Sequence, residues 1–126
     1  MRVLLDTVTF LWAVSSPERI SRKAMSALTR SSAVREISVI SLSEIAIKQT
    51  RGKLTFGKQD VAQGIADLQL RVLPYSAEHA FALYDLPLHH PDPFDRQIIA
   101  QALTEQIAVI TSDSAFKLYK DLEVIW

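Results

Sequence analysis

Apolar and polar residues follow one another along the chain in two rhythms. Compact apolar runs stand at Val3-Leu4-Leu5, Ile37-Ser38-Val39-Ile40 and Ile107-Ala108-Val109-Ile110-Thr111, the form of strands buried on both faces. Val72-Leu73-Pro74 reads as a shorter strand or extended link, and Leu122 to Trp126 as a closing edge strand. Between them the spacing is helical. Thr9 to Val14 forms a short helix stopped by Ser15-Ser16-Pro17, and Ser21 to Thr29 sets Ala24, Met25 and Leu28 on one face. Further helices are predicted from Ser41 to about Arg51 with Gly52 as the stop, from Gln59 to Leu70 with a weak point at Gly64, and from Ala77 to Leu86. A last short helix reaches Tyr119.

Strands alternating with amphipathic helices predict an α/β fold with a mainly parallel sheet. The chain has 126 residues with no repeat or linker, which predicts one domain over 1–126. In such sheets ligands gather beyond the C-terminal strand ends, and Asp6 and Asp113 each follow a predicted strand.

The segment Asp92-Pro93-Phe94-Asp95 is a strong helix start, with Asp92 as N-cap and Pro93 at the first position. Asp95 shares a face with Ile98, Ile99 and Ala102, where a carboxylate is costly unless something compensates it. Composition narrows the choice. Apolar residues make up 48% and charged residues 22%, and Lys plus Arg equals Asp plus Glu at 14 each, so bulk charge points to no nucleic-acid or membrane partner. The absence of cysteine excludes disulfides and thiolate metal sites. Asp6 and Glu18 interrupt the apolar start, so neither a signal peptide nor a membrane span is expected, and the cytoplasm is the default.

Asp6, Glu44, Asp95 and Asp113 are the candidate site acids. Each has a plainer reading: Asp6 and Asp113 as helix caps, Glu44 as the partner of Lys48 four residues on. Brought together, carboxylates repel by roughly 4 kcal/mol per close pair at an intermediate dielectric and require a counter-charge. Hard oxygen ligands select Mg²⁺ or Mn²⁺, whose chemistry is that of nucleases and phosphatases. An aspartate-nucleophile phosphohydrolase needs a second Asp where Val8 stands, and neither a G-x-S-x-G elbow nor a glycine-rich phosphate loop is present.

Four blocks in order carry a resemblance: Leu4-Leu5-Asp6-Thr7 with Leu11-Trp12, Ser43-Glu44-Ile45-Ala46-Ile47-Lys48 with Gly52-Lys53-Leu54, Asp92-Pro93-Phe94-Asp95-Arg96 with Ile99-Ala100-Gln101-Ala102, and Thr111-Ser112-Asp113 with Phe116. They resemble PIN domains of the VapC toxin type over nearly the whole chain. The resemblance implies a three-layer α/β/α sandwich and an acidic pocket of Asp6, Glu44, Asp95 and Asp113 binding Mg²⁺ or Mn²⁺. It also implies a metal-dependent endoribonuclease that is the toxin of a type II toxin–antitoxin pair, with a VapB-type antitoxin and a homodimeric state. Val8 stands where a histidine is common, Ser43 where an aromatic often precedes the glutamate, and Ala115 where an acid often precedes Phe116. The last removes a candidate fifth ligand.

On this reading Asp6, Asp95 and Asp113 hold the metal directly or through water, and Glu44 positions or deprotonates the attacking water. Arg96 is the expected cation beside Asp95, and Thr7 and Thr111 are candidates to bond metal-bound water, with strand-end hydroxyls as their plainer reading. Lys48, Arg51, Lys53 and Lys58, around the Gly52 turn, are candidates to track RNA phosphates, with a solubilising surface as the plainer reading. His79, His89 and His90 are left outside the site. The competing expectation from another class is a non-catalytic PIN-like module that binds RNA or protein.

Overall fold

A computed structural model describes residues 1–126. Five strands, β1 (Arg2–Leu5), β2 (Val34–Ser38), β3 (Arg71–Leu73), β4 (Ala108–Ile110) and β5 (Val124–Ile125), form one parallel sheet in the order β3-β2-β1-β4-β5. The helices are α1 (Thr7–Ser15), α2 (Arg22–Thr29), α3 (Val39–Thr50), α4 (Lys58–Asp67), α5 (Ala77–Ala82) and α6 (Pro93–Glu105).

The two-residue period of β1 builds both sides of the sheet. Val3 and Leu5 enter a core with Phe10, Ala24, Leu28 and Ile45, whereas Leu4 enters a second core with Ile98, Ile99, Ala102 and Phe116. Helices therefore cover both faces, the expected α/β/α sandwich, and each fully buried Leu, Ile or Phe contributes about 1.5–3 kcal/mol.

Several boundaries differ from the expected ones, each for a local reason. The second strand begins at Val34 because Glu36, although charged, is buried in it (1% exposed) and bound by Arg2 through Nε–Oε2 at 2.6 Å and Nη2–Oε1 at 3.0 Å. The following helix starts at Val39 rather than Ser41, because the Ser38 hydroxyl caps it by accepting the Ile40 N–H at 2.9 Å. The helix expected to reach Leu86 ends at Ala82 and continues as a 3₁₀ turn over Leu83–Asp85, and the segment before Tyr119 is a 3₁₀ turn over Ser114–Leu118.

Gly64, expected as a weak point, is where α4 meets α1. A Cβ there would lie 2.8 Å from Val14 Cγ2 and 3.0 Å from Phe10 Cζ. Gly52 has φ of +70° and closes α3 as expected.

Candidate active site

The chain leaves β1 towards β2 and later returns to β1's other side as β4. In parallel α/β sheets such a reversal is where ligands gather, past the C-terminal ends of the strands. Asp6 is the first residue beyond β1, and Asp113 follows β4 by three positions. The first turn of α6 brings Asp95 to the same edge, and α3 brings Glu44.

Asp6 is both cap and site member. Its Oδ1 accepts the Thr9 N–H at 2.9 Å, and its Oδ2 accepts the Thr111 hydroxyl at 2.7 Å. Burial pushes its carboxyl above the ordinary range, while the bonds from Thr9 and Thr111 pull it back. Asp113 likewise caps its own turn through the Ala115 N–H at 3.0 Å. Glu44 is buried, accepts the Thr7 hydroxyl at 2.7 Å and pairs with Lys48 Nζ at 2.6 Å. The helix pair expected from the spacing thus forms, but with its acid buried.

Asp95 receives no backbone N–H. Asp92 takes the cap, accepting the N–H groups of Phe94 and Asp95 at 2.8 and 3.0 Å. The Asp95 carboxyl is pushed up to about 7, first by burial and then by the charge of Asp92; Asp6 and Glu44 add to this and His90 opposes it. His90 is the residue that the sequence reading left out. Its Nε2 lies 2.7 Å from Asp113 Oδ2 and 3.2 Å from Asp95 Oδ2. One donor atom each from His90, Asp95 and Asp113 lies within 4.8 Å of the others. Asp6 and Glu44 are not in that tight group, although their charges reach Asp95. The signal for His90 was its position two residues before the N-cap, in a loop held by Pro87, Pro91 and Pro93.

Carboxylates gathered at a solvent-facing edge fit a small divalent cation, and their hard oxygens suit Mg²⁺ or Mn²⁺. The most apolar cavity, about 430 Å³ between α3 and α4, is lined by none of the four acids.

Arg96 does not face the carboxylates, contrary to its expected role. Its guanidinium donates to the carbonyls of Pro87 at 2.8 Å and Leu86 at 3.1 Å. Adjacent helical residues point about 100° apart, so Arg96 leaves the face that Asp95 occupies. Lys48 is instead the cation at the acids, while Arg51, Lys53 and Lys58 are exposed around the turn. Thr7 and Thr111 each hold a carboxylate directly. His79 is structural, bonded to Glu105 at 3.0 Å, and the exposed His89 ring packs on Tyr119. No helix is long and apolar enough to cross a membrane.

The model of the PIN domain family matches residues 3–122. No curated protein matches the sequence. The fold is similar to VapBC2 from Rickettsia felis bound to a DNA fragment from their promoter, with TM-score 0.71, 19% identity, and coverage of 98% of this chain and 97% of that one. It is similar also to DNA-bound VapBC from Salmonella typhimurium, with TM-score 0.67, 17% identity, and coverage of 98% and 96%. FitAcB from Neisseria gonorrhoeae matches with TM-score 0.62, 22% identity, and coverage of 97% and 95%. At these identities the likeness is one of fold.

Proposed function

The chain belongs to the PIN domain family, and from that premise we propose that it is a metal-dependent endoribonuclease, the toxin of a type II toxin–antitoxin pair. The observation that carries the reading is Asp95, a carboxylate without a backbone donor, placed beside Asp113 and within the field of Asp6 and Glu44. Such a side chain is a poor structural element and a good cation holder.

Asp95 and Asp113 would hold Mg²⁺ or Mn²⁺ directly, and Asp6, which lies outside their tight group, through water. When bound, the ion supplies Lewis acidity and lowers the pKa of coordinated water. Glu44, fixed by Thr7 on one oxygen and Lys48 on the other, orients the attacking water and accepts its proton. Lys48 Nζ, half exposed, faces the negative charge that grows on the phosphoryl oxygens. Arg51, Lys53 and Lys58 hold neighbouring phosphates of the RNA.

The solved relatives named above include complexes titled VapBC, which supports a VapB-type antitoxin as partner. Residues 1–126 act as one nuclease domain, in the cytoplasm and as a homodimer. Digestion of RNA by the wild-type chain and by Asp95→Asn, each with Mg²⁺, Mn²⁺ or EDTA, tests the reading. Cleavage is expected only for wild type with metal. Cleavage that persists in EDTA, or in the Asn variant, would overturn it, and no cleavage with intact RNA binding would favour the non-catalytic module.

A further inference from the structure

His90 stands between two of the acids, and its hydrogen bonds determine what its ring offers them. The ring is buried, with 8% of the side chain exposed. Its Nδ1 accepts the backbone N–H of Asp92 at 3.1 Å, so in the neutral ring the proton resides on Nε2. That Nε2–H donates to Asp113 Oδ2 at 2.7 Å, and Asp95 Oδ2 lies 3.2 Å from the same nitrogen.

The ring has little freedom to exchange its two nitrogens. It packs edge-on against Phe116, with centroids 5.5 Å apart and planes at 89°. The His90 N–H donates to the Tyr119 hydroxyl at 3.0 Å, which itself donates to the Pro87 carbonyl at 2.8 Å. Arg96 ties Leu86 and Pro87 to α6, so the loop is held from both ends. Moving the proton to Nδ1 would set it against the N–H of Asp92, and the loss of that bond would leave a partly buried donor unpaired.

A nitrogen that ligates a cation must present a lone pair, and His90 presents a proton. We infer that His90 is a positioning residue rather than a metal ligand: its Nε2–H holds the Asp113 carboxylate in place beside Asp95, so that the centre is pre-formed and all-oxygen. The inference rests on a divalent cation occupying this pocket. It assigns to the loop before α6 a role that neither the four acids nor the basic turn performs. An all-oxygen centre takes Mg²⁺ or Mn²⁺, whereas a bound imidazole would draw it towards zinc or nickel.

The test uses the full chain and Mn²⁺ alone. Electron paramagnetic resonance gives the affinity, and electron spin-echo modulation with ¹⁴N- or ¹⁵N-histidine reports whether an imidazole nitrogen is bonded to the ion. Wild type is expected to bind Mn²⁺ without the coupling of a directly bonded nitrogen. His90→Ala should weaken binding about 10- to 100-fold, the usual effect of losing an outer-shell partner. His90→Gln, which keeps an N–H near the Nε2 position, should recover most of that loss. Strong coupling to a bonded histidine nitrogen would overturn the inference, as would unchanged affinity in His90→Ala or a Gln variant as weak as Ala. The wild-type spectrum decides even where the Ala variant does not fold. Wild type that binds no Mn²⁺ would remove the metal reading itself, a result seen before any variant is made.

Discussion

The Thr111 hydroxyl donates to Oδ2 of Asp6 across 2.7 Å, joining the first residue past β4 to the first residue past β1. Thr111 Oγ1 in turn accepts the Asp113 N–H at 3.0 Å, so one side chain aligns two of the acids. Thr111→Val removes both bonds of a fully buried side chain. It should cost about 1–3 kcal/mol in urea unfolding, whereas Thr111→Ser keeps the hydroxyl and most of the stability. Equal losses in the two variants would assign the effect to packing instead.

Asp95 gives the metal-free protein a pH dependence whose sign follows from its raised carboxyl. Folding shifts it from 3.8 to about 7, so between those values the native state binds the proton more tightly than the unfolded chain. Its contribution therefore falls as pH rises from about 4 to 7. In EDTA at neutral pH, Asp95→Asn should be more stable than wild type by about 2 kcal/mol, after allowance for the exposed fifth of the side chain. Melting curves of both proteins from pH 4 to 7.5 check this, and parallel curves would refute it.

Divalent metal should reverse that penalty. At a free Mn²⁺ concentration 100 times its dissociation constant, the gain is about 2.7 kcal/mol. The melting temperature of wild type should rise as Mn²⁺ is titrated in, and that of Asp95→Asn should stay nearly level. A flat wild-type titration would favour the binding-module reading.

The exposed basic turn makes a separate prediction about RNA. Replacing Arg51, Lys53 and Lys58 together with Gln removes up to three phosphate contacts and should lower the slope of log affinity against log salt by about 2 for a single strand. Binding measured from low to moderate salt checks it. An unchanged slope would return these residues to the role of a solubilising surface.

Gly64→Ala sets two effects against each other. Alanine favours the helix by about 1 kcal/mol, but its Cβ enters the buried Phe10 ring and Val14. Because Phe10 has no room to retreat, a net loss of about 1 kcal/mol is expected in denaturant unfolding.

The parts readable from the chain were those governed by neighbours a few residues away. The apolar runs of β1 and β4, the Asp92 cap followed by Pro93, the stop at Gly52 and the Glu44–Lys48 pairing are local in cause, and they stand as expected. Glu36 was unreadable as a strand residue because its partner, Arg2, lies 34 positions away. Arg96 looked like a site cation because it adjoins Asp95, yet the carbonyls it binds belong to a loop that α6 meets only after folding. His90 shows the same limit from the other side: Asp113, 23 residues further on, becomes its neighbour only when the loop before α6 packs on Phe116 and Tyr119. Charge and hydrogen bonding act over a few ångströms in space, whereas sequence spacing reports proximity only along a helix or a strand.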